Sequence, residues 1–142
     1  MIGFGSASLN KFNDKQKVET VSQEVAANLR LARNYAVTEQ LPEGANKVTA
    51  TIDSEGFINI RSQNAVGGIL TSYSRKDITP NGVTVVFHTT DVADSSTIKF
   101  GVTDGRLIDK NLNSVTAVVT ITGNDGYTKT INIVESGLIY EQ

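Results

Sequence analysis

Few side chains in this sequence have both the residue type and the spacing that catalysis requires. His88 is the only histidine, in the stretch VVFHTT, and strand alternation places it on the face opposite Phe87. One histidine and many serines and aspartates can always be combined into a Ser-His-Asp set on paper, but no G-x-S-x-G or comparable local motif supports one. Cysteine is absent, which excludes a cysteine nucleophile, thiolate metal ligands and disulfides. We therefore interpret His88 as an ordinary strand residue and predict that the protein is not an enzyme.

A second group of polar residues has the spacing of metal ligands. In DKNLNS, Asp109, Asn111 and Asn113 place an oxygen at every second position, as the first half of a calcium loop does. The central glycine is missing, and the twelfth position is Thr120 rather than a bidentate glutamate. Two alternatives stay open, a weak calcium site and a solvated hairpin loop, which Asn and Asp favour without any ion. The stretch TDVADSS, residues 90–96, allows the same two alternatives, and no other cofactor is expected.

The charge distribution does not favour a nucleic-acid partner. Thirteen basic and 15 acidic residues give a net charge of −2, and the tail ESGLIYEQ is acidic. Arg75 and Lys76 form the only adjacent basic pair, which makes them the candidates for contacting a ligand. The glycines of AVGGIL lack the Lys and Ser/Thr of a phosphate loop, so we interpret them as a bend.

The longest stretch without Gly or Pro, residues 6–41, contains KVETVSQEVAANLRLARNYAVTEQ, residues 17–40. Its apolar residues recur every three or four positions, as on one face of a helix. They are Val18, Val21, Val25, Ala26, Leu29, Ala32 and Ala36. Small alanines allow a backbone to lie close to whatever covers it, so we expect this stripe to pack on a sheet.

The ends of this helix are predicted from the flanking residues. The pattern extends back to about Ser8, while Pro42 and Gly44 stop it after Gln40. Such a helix is about 50 Å long at 1.5 Å per residue, longer than a globule of this size. The segment NKFNDKQK, residues 10–17, is too polar to be buried in the same globule, so we expect the first turns to project.

After residue 40 the hydrophobic period changes to that of strands. Seven strands are predicted, in KVTATID, GFINIRS, GGILTSYS, GVTVVFHT, STIKFGV, SVTAVVTIT and YTKTINIV. Turns at residues 53–56 and 123–126 join two pairs of them into hairpins. We predict an α+β fold in one domain, 1–142, with a long N-terminal helix (1–40) packed on a mostly antiparallel sheet in a β-rich head (41–142).

Residues 2–40 resemble the N-terminal helix of type IV pilin-like proteins, just after its membrane-spanning part. NLRLARNYAV is similar to the "lrlARseAi" segment of the minor pseudopilins of type II secretion and related minor pilins. SSTIKFGVTDGRL is similar to their "itFdpdGr" strand and turn. The resemblance implies a pilin-like fold without enzymatic activity of its own.

The resemblance also implies a function and partners. We expect a membrane helix before Ile2, a head outside the cytoplasm in the cell envelope, and assembly with other pilin or pseudopilin subunits through the N-terminal helix. The chain is then a structural subunit of a type IV pilus, type II secretion or related filament. The alternative is a minor pilin at a filament tip that binds DNA or another ligand. The arginine-bearing tail of DNA-binding minor pilins is absent, which argues against DNA uptake.

Overall fold

The structure is a computed structural model that describes residues 2–38, 41–53, 55–78, 82–89, 97–102, 104–109 and 111–141, with the backbone alone for residues 2–12. Within these ranges one helix is followed by nine strands in two antiparallel sheets. The predicted α+β class is confirmed. Residues 90–96, which carry the second Asp-rich stretch, lie outside the described ranges, as do Glu39 and Gln40.

The helix α1 spans Ile2–Val37, about 54 Å at 1.5 Å per residue. It begins six residues before the predicted start at Ser8. The early start was not predicted because Gly3 and Gly5 weaken the helical pattern in the sequence, but no proline interrupts the helix there. It ends before the predicted boundary at residue 40. The Thr38 hydroxyl donates to the Tyr35 carbonyl oxygen at 3.1 Å, so a residue ahead of Pro42 already satisfies one of the last free carbonyl groups.

The five-stranded sheet has the order β3-β2-β1-β5-β6. Its strands are β1 (Lys47–Ile52), β2 (Phe57–Gln63), β3 (Ile69–Asp77), β5 (Thr97–Gly101) and β6 (Leu107–Ile108). The predicted β1–β2 hairpin is confirmed, with Val48 paired to Ser62 and Ile52 to Ile58. The AVGGIL segment forms the turn between β2 and β3, as predicted, and Gly67 has a φ of +88° there.

The four-stranded sheet has the order β4-β7-β8-β9. Its strands are β4 (Thr84–Thr89), β7 (Ala117–Thr122), β8 (Thr128–Ile133) and β9 (Ile139–Glu141). The predicted β7–β8 hairpin is confirmed by the pairing of Thr122 with Thr128. Two strands were missed by the sequence analysis: β6 has only two residues, and β9 lies in the tail that was interpreted from its charge alone.

One hydrophobic core joins the helix to both sheets. The helix contacts β1, β2 and β5 of the first sheet and β7, β8 and β9 of the second. Core side chains from all three layers include Leu29 of the helix, Phe100 of β5 and Ile131 of β8, each fully buried. The prediction of a single sheet under the helix was therefore incomplete, since the helix is packed on two.

Candidate functional site

The seven residues predicted to form the packing stripe all lie in the core. Val18, Val25, Ala26, Leu29, Ala32 and Ala36 are fully buried, and Val21 is 1% exposed. Because three of the stripe positions including Ala26 are alanine, the helix backbone lies close to the strands beneath it. The stripe attaches the helix to the head over five turns or so at 3.6 residues per turn.

The opposite side of the helix is uncovered. Gln16, Thr20, Gln23, Ala27 and Asn34 are exposed and follow one another at spacings of three, four and seven residues. These spacings bring them to one face of the helix. None of the five carries a charge, and we call these five residues the uncharged helix stripe. The exposed Arg30 lies between Ala27 and Asn34 at the edge of the same face and contacts strand β9.

Asp14 attaches the N-terminal part of the helix to the head. It is 8% exposed, and its carboxylate accepts hydrogen bonds from the backbone amides of Asn124 at 3.2 Å and Asp125 at 3.0 Å. A hydrogen bond with the Asp125 side chain and then these amides lower the pKa of Asp14 below its ordinary value. Asp14 thus closes the β7–β8 turn.

This contact corrects, for Asp14 alone, the prediction that residues 10–17 are too polar to be buried, since Asn13, Lys15, Gln16 and Lys17 are exposed as predicted. Asp14 is polar but satisfied, so its burial does not carry the usual penalty. A signal in the sequence could have identified it, because Asp14 lies four residues before Val18 on the same helical stripe. Gly123 allows the close approach: a Cβ there would overlap the Asp14 carboxylate and lie 2.9 Å from Val18 Cγ2.

Glycines in two other turns let the C-terminal end of the helix approach the head. A Cβ on Gly105 would lie 2.6 Å from Val37 Cγ1, and one on Gly137 would lie 2.8 Å from Arg33 Nε and overlap the Gly105 carbonyl oxygen. Both glycines have positive φ, +68° and +87°, a region that side-chain-bearing residues avoid. Their role depends on contacts between distant turns, so the sequence alone gave no sign of it.

Two arginines of the helix hold the β8–β9 turn and strand β9. Arg30 donates to the carbonyl oxygen of Ile139 at 3.2 Å, and Arg33 donates to that of Ser136 at 3.3 Å. Arg30 also lies 3.9 Å from the Glu141 carboxylate. The acidic tail is thereby folded against the helix.

On its other flank the helix contacts the edge strand β3. The rings of Tyr35 and Tyr73 stack with centroids 4.2 Å apart and an interplanar angle of 14°. Further along, Lys76 Nζ lies 3.8 Å from Glu24 Oε1. An exposed ion pair of this kind contributes little stability, so the aromatic stack is the stronger attachment.

The adjacent basic residues Arg75 and Lys76 point to different neighbours. Arg75 lies 3.0 Å from Glu55 Oε2 and 3.4 Å from Asp53 Oδ2, with its guanidinium 3.9 Å from the centre of the Phe57 ring. Lys76 instead contacts the helix. The structure does not bring the pair together into one contact site, and their predicted ligand contact stays a prediction.

The carboxylate oxygens of Asp109 in the predicted calcium loop accept hydrogen bonds from within the loop. Asp109 Oδ1 accepts from the backbone amides of Asn111 at 2.8 Å and Asn113 at 2.9 Å. The Asn113 amide, then that of Asn111, lowers the pKa of Asp109. The three residues are brought together as an Asx-type turn. Calcium binding stays a prediction, and the described part of the chain holds no group of three or more His, Cys, Asp or Glu side chains that could bind a metal.

His88 lies on an exposed position of β4, with Phe87 buried on the opposite face, as predicted. Its partner across the strands is Val118. The α1 helix lacks the hydropathy of a bilayer-spanning segment, and no helix in the described ranges has it.

Comparisons with known proteins identify the fold. No protein-family model matches the chain, and no curated protein sequence is significantly similar to it. The structure is similar to the crystal structure of the type IV minor pilin FimU of Pseudomonas aeruginosa (strain PAO1), with a TM-score of 0.61 and 18% sequence identity. The similarity covers 87% of this chain and 91% of FimU. The long helix packed on antiparallel sheets is therefore a pilin-like fold, as the resemblance in the sequence predicts.

Proposed function

We propose that this protein is a structural subunit of a type IV pilus, a type II secretion system or a related envelope filament, and that it assembles through its N-terminal helix. The observation that carries the proposal is the helix itself. One face is fixed to the head from Asp14 to Val37, and the residues of the uncharged helix stripe on the other face are exposed in the part of the chain that the structure describes. The fold that the chain shares with a type IV minor pilin supports the same function.

The chemistry of the uncharged helix stripe suits packing against another helix. Gln16, Thr20, Gln23 and Asn34 can exchange hydrogen bonds with water for hydrogen bonds with a neighbour, and Ala27 lets two backbones approach. The five stripe residues bring no like charges together when copies face one another, and Arg30 at the edge of this face contacts Ile139 and Glu141 of β9. An open groove of about 540 Å³ runs beside it, between the helix and Asp77, and offers room for a neighbouring side chain or helix edge.

The proposal includes a membrane-spanning segment before Ile2 that anchors the subunit, with the head outside the cytoplasm. It also includes other pilin or pseudopilin subunits as the partners. Neither a cofactor nor a nucleic acid is part of the assembly that we propose.

The test is site-specific photocrosslinking in cells that produce the protein. A benzophenone amino acid replaces Gln23 on the uncharged helix stripe, and in a matched control it replaces Glu43, which is also exposed but lies in the loop after the helix. We expect the probe at position 23 to capture another copy or another pilin-like subunit, identified by mass spectrometry. The control probe should capture clearly less of the same partner.

The proposal is wrong if the chain is present in the envelope fraction and the probe at position 23 captures no filament subunit. Capture of the same partner in equal amounts from positions 23 and 43 would also count against it, since it would reflect proximity without a helix interface. Both outcomes are read from the same crosslinked samples.

The alternative function, ligand binding at a filament tip, has less support from the geometry. Arg75 and Lys76 contact separate acidic groups, so a ligand would have to displace at least one ion pair to meet both. Binding of DNA by the purified chain that weakens steeply as salt increases would favour this alternative.

A further inference from the structure

The two sides of the uncharged helix stripe carry opposite charges near its middle. Glu24 lies three residues before Ala27 and Arg30 three residues after it, which at about 100° per residue places them about 60° to either side of Ala27. Their contacts agree with this placement. Glu24 lies beside Lys76 of β3, in the five-stranded sheet, whereas Arg30 donates to Ile139 of β9, in the four-stranded sheet. We call the two sides the Glu24 flank and the Arg30 flank.

On the Arg30 flank, a cavity of about 330 Å³ opens between the helix and the β8–β9 turn. It is lined by Arg30, Arg33 and Asn34 of the helix, so it combines two cations with a residue of the stripe. A guanidinium has five N–H donors. Arg30 donates to the carbonyl oxygen of Ile139 and Arg33 to that of Ser136, which leaves each of them donors for a further acceptor. The cavity therefore suits a carboxylate.

On the Glu24 flank lies the open groove of about 540 Å³ beside Asp77, which Glu24 also lines. The Glu24 side chain is 34% exposed, and its carboxylate lies 3.8 Å from Lys76 Nζ, farther than the 2.7–2.9 Å or so of a close charge-assisted hydrogen bond. A carboxylate has two oxygens that accept hydrogen bonds, so it can meet a second cation and keep Lys76. Lys17 lines the same groove, about two turns before Glu24.

These charges suit neighbours that lie side by side and point in the same direction. If each copy is rotated against the last about a common axis, one flank of a helix faces the opposite flank of the next helix. A base on the Arg30 flank then meets an acid on the Glu24 flank. Such a contact joins two different surfaces, so every copy can make it twice and the contact can be repeated along a filament. The complement of the basic cavity is thus present on the chain itself.

The spacing of the two residues determines how far neighbours are displaced along the helix. Arg30 follows Glu24 by six residues, or about 9 Å at 1.5 Å per residue. A neighbour moved by this distance brings its Glu24 level with Arg30 of the first copy. Its Lys17 is then level with the neutral Gln23, also six residues on, so this displacement does not bring Lys17 level with a cation.

We propose that Arg30 of one copy pairs with Glu24 of the next, and that this pair sets an axial displacement of about 9 Å between neighbouring helices. The inference rests on the proposed function, because the helix contact holds the copies together. An exposed ion pair adds little affinity. Its effect is on specificity, since it favours one displacement over the others.

The test is crosslinking in cells that produce two variants of the chain together, Glu24→Cys and Arg30→Cys. The chain has no cysteine of its own, so within it a short bismaleimide reacts only at these positions. We expect a covalent dimer when both variants are present and little when either is produced alone, because each position faces the opposite flank of its neighbour. The matched control replaces Arg30→Cys by Leu31→Cys, which is also exposed but lies beside Tyr73 on the Glu24 flank. It should give clearly less dimer.

A second pair of variants, Glu19→Cys with Lys17→Cys, tests a competing displacement of two residues, or about 3 Å, which would pair that acid with that base. Dimer from this pair and none from positions 24 and 30 would overturn the inference. So would equal dimer with Leu31→Cys and with Arg30→Cys, or no dimer at all while the probe at position 23 captures a filament subunit. In each case the proposed function stands, since it is read separately from position 23.

The charge of the pair is tested with Glu24→Lys, which would place two cations together at the contact. We expect the amount of subunit recovered in sheared filaments to fall severalfold, while the thermal unfolding midpoint of the purified chain changes little. The matched control is Glu43→Lys, the same change of charge in the exposed loop after the helix, which should be recovered in full. Equal recovery of the two variants would show that Glu24 and Arg30 do not pair.

Discussion

Asp14 shows how one polar side chain can determine where a helix is attached. Its carboxylate accepts two backbone amide hydrogens of the β7–β8 turn, and Gly123 leaves room for it. The polarity of the surrounding segment predicted that Asp14 is exposed, whereas its position on the same stripe as Val18 indicates that it is buried. A buried hydrogen-bond acceptor of this kind can be predicted from the periodicity of a helix only if polar residues are counted on its buried stripe together with the apolar ones.

Asp14 should make the stability of the protein depend on pH. Its pKa is lowered in the folded state, so its stabilising effect is present above the unfolded carboxyl pKa of about 3.9 and is lost as the pH falls through the lower folded value. We expect Asp14→Asn to lower the thermal unfolding midpoint at neutral pH, and the difference from the unchanged protein to shrink in acid. The measurement is thermal unfolding of both proteins across the acid range.

A suitable control for this experiment is Glu43→Gln in the exposed loop, which should follow the unchanged protein at every pH. Some acid dependence should remain in Asp14→Asn, because Asp53 and Asp109 also have lowered pKa values, through the backbone amides of Phe57 and Asn113 first. Parallel curves for Asp14→Asn and the unchanged protein would show that the Asp14 charge does not stabilise the turn.

Gly137 offers a second test at the residue scale. A Cβ there would overlap the backbone carbonyl of Gly105, and φ is +87°. Gly126 has a φ of +88° with nothing within 4 Å of the added atom. Gly126→Ala should therefore lower the free energy of unfolding by about 1 kcal/mol, because alanine disfavours the left-handed conformation. Gly137→Ala should lower it by about 1–3 kcal/mol more, because of the overlap. Urea unfolding measures both, and equal losses would contradict the close packing of the two turns.

At the scale of elements, the helix and most strands could be predicted from residue periodicity. The stripe from Val18 to Ala36 has period 3.6, and seven of the strands show β-branched or aromatic runs. The ends of the helix could not be predicted. Glycines weakened the helical pattern at its start, and its last turn is closed by Thr38, four residues before the Pro42 that was expected to stop it. Strands β6 and β9 were missed because two or three residues are too few to show alternation.

The attachment of the helix should depend on the large residue at the middle of its stripe. Leu29 is fully buried in the hydrophobic core, and Leu31, two positions along, is 38% exposed. We expect Leu29→Ala to reduce the free energy of unfolding by about 2–5 kcal/mol because it leaves a cavity, and Leu31→Ala by less than about 1 kcal/mol. Chemical denaturation provides both values. A similar small loss for the two variants would mean that the helix is not docked through this stripe.

At the scale of the whole molecule, the division into two sheets depends on contacts that no local pattern encodes. β1 pairs with β5 and β4 pairs with β7, across long intervening segments, and local periodicity does not distinguish these partners from others. The apolar residues of the packing stripe could be predicted, because apolar burial on a helix is periodic, whereas the buried Asp14 was missed. The residues that join distant turns, Gly105 and Gly137, were not, because their role exists only in the folded chain.

The helix has one face for the head and one face for neighbours, so stability and assembly should be separable by mutation. Ala27 lies in the middle of the uncharged helix stripe and is exposed, whereas Ala26 beside it is fully buried. Ala27→Glu should change the free energy of unfolding by less than about 0.5 kcal/mol, since the side chain remains in water and glutamate is a good helix former. In a filament it would place like charges between neighbouring helices, and we expect the amount of subunit recovered in sheared filaments to fall severalfold. Ala26→Glu is the opposite case, because a buried unpaired carboxylate should unfold the chain and remove it from every fraction. Normal recovery of Ala27→Glu in filaments would show that this face of the helix does not meet a neighbour, and a large loss of stability would show that it is covered by the head itself.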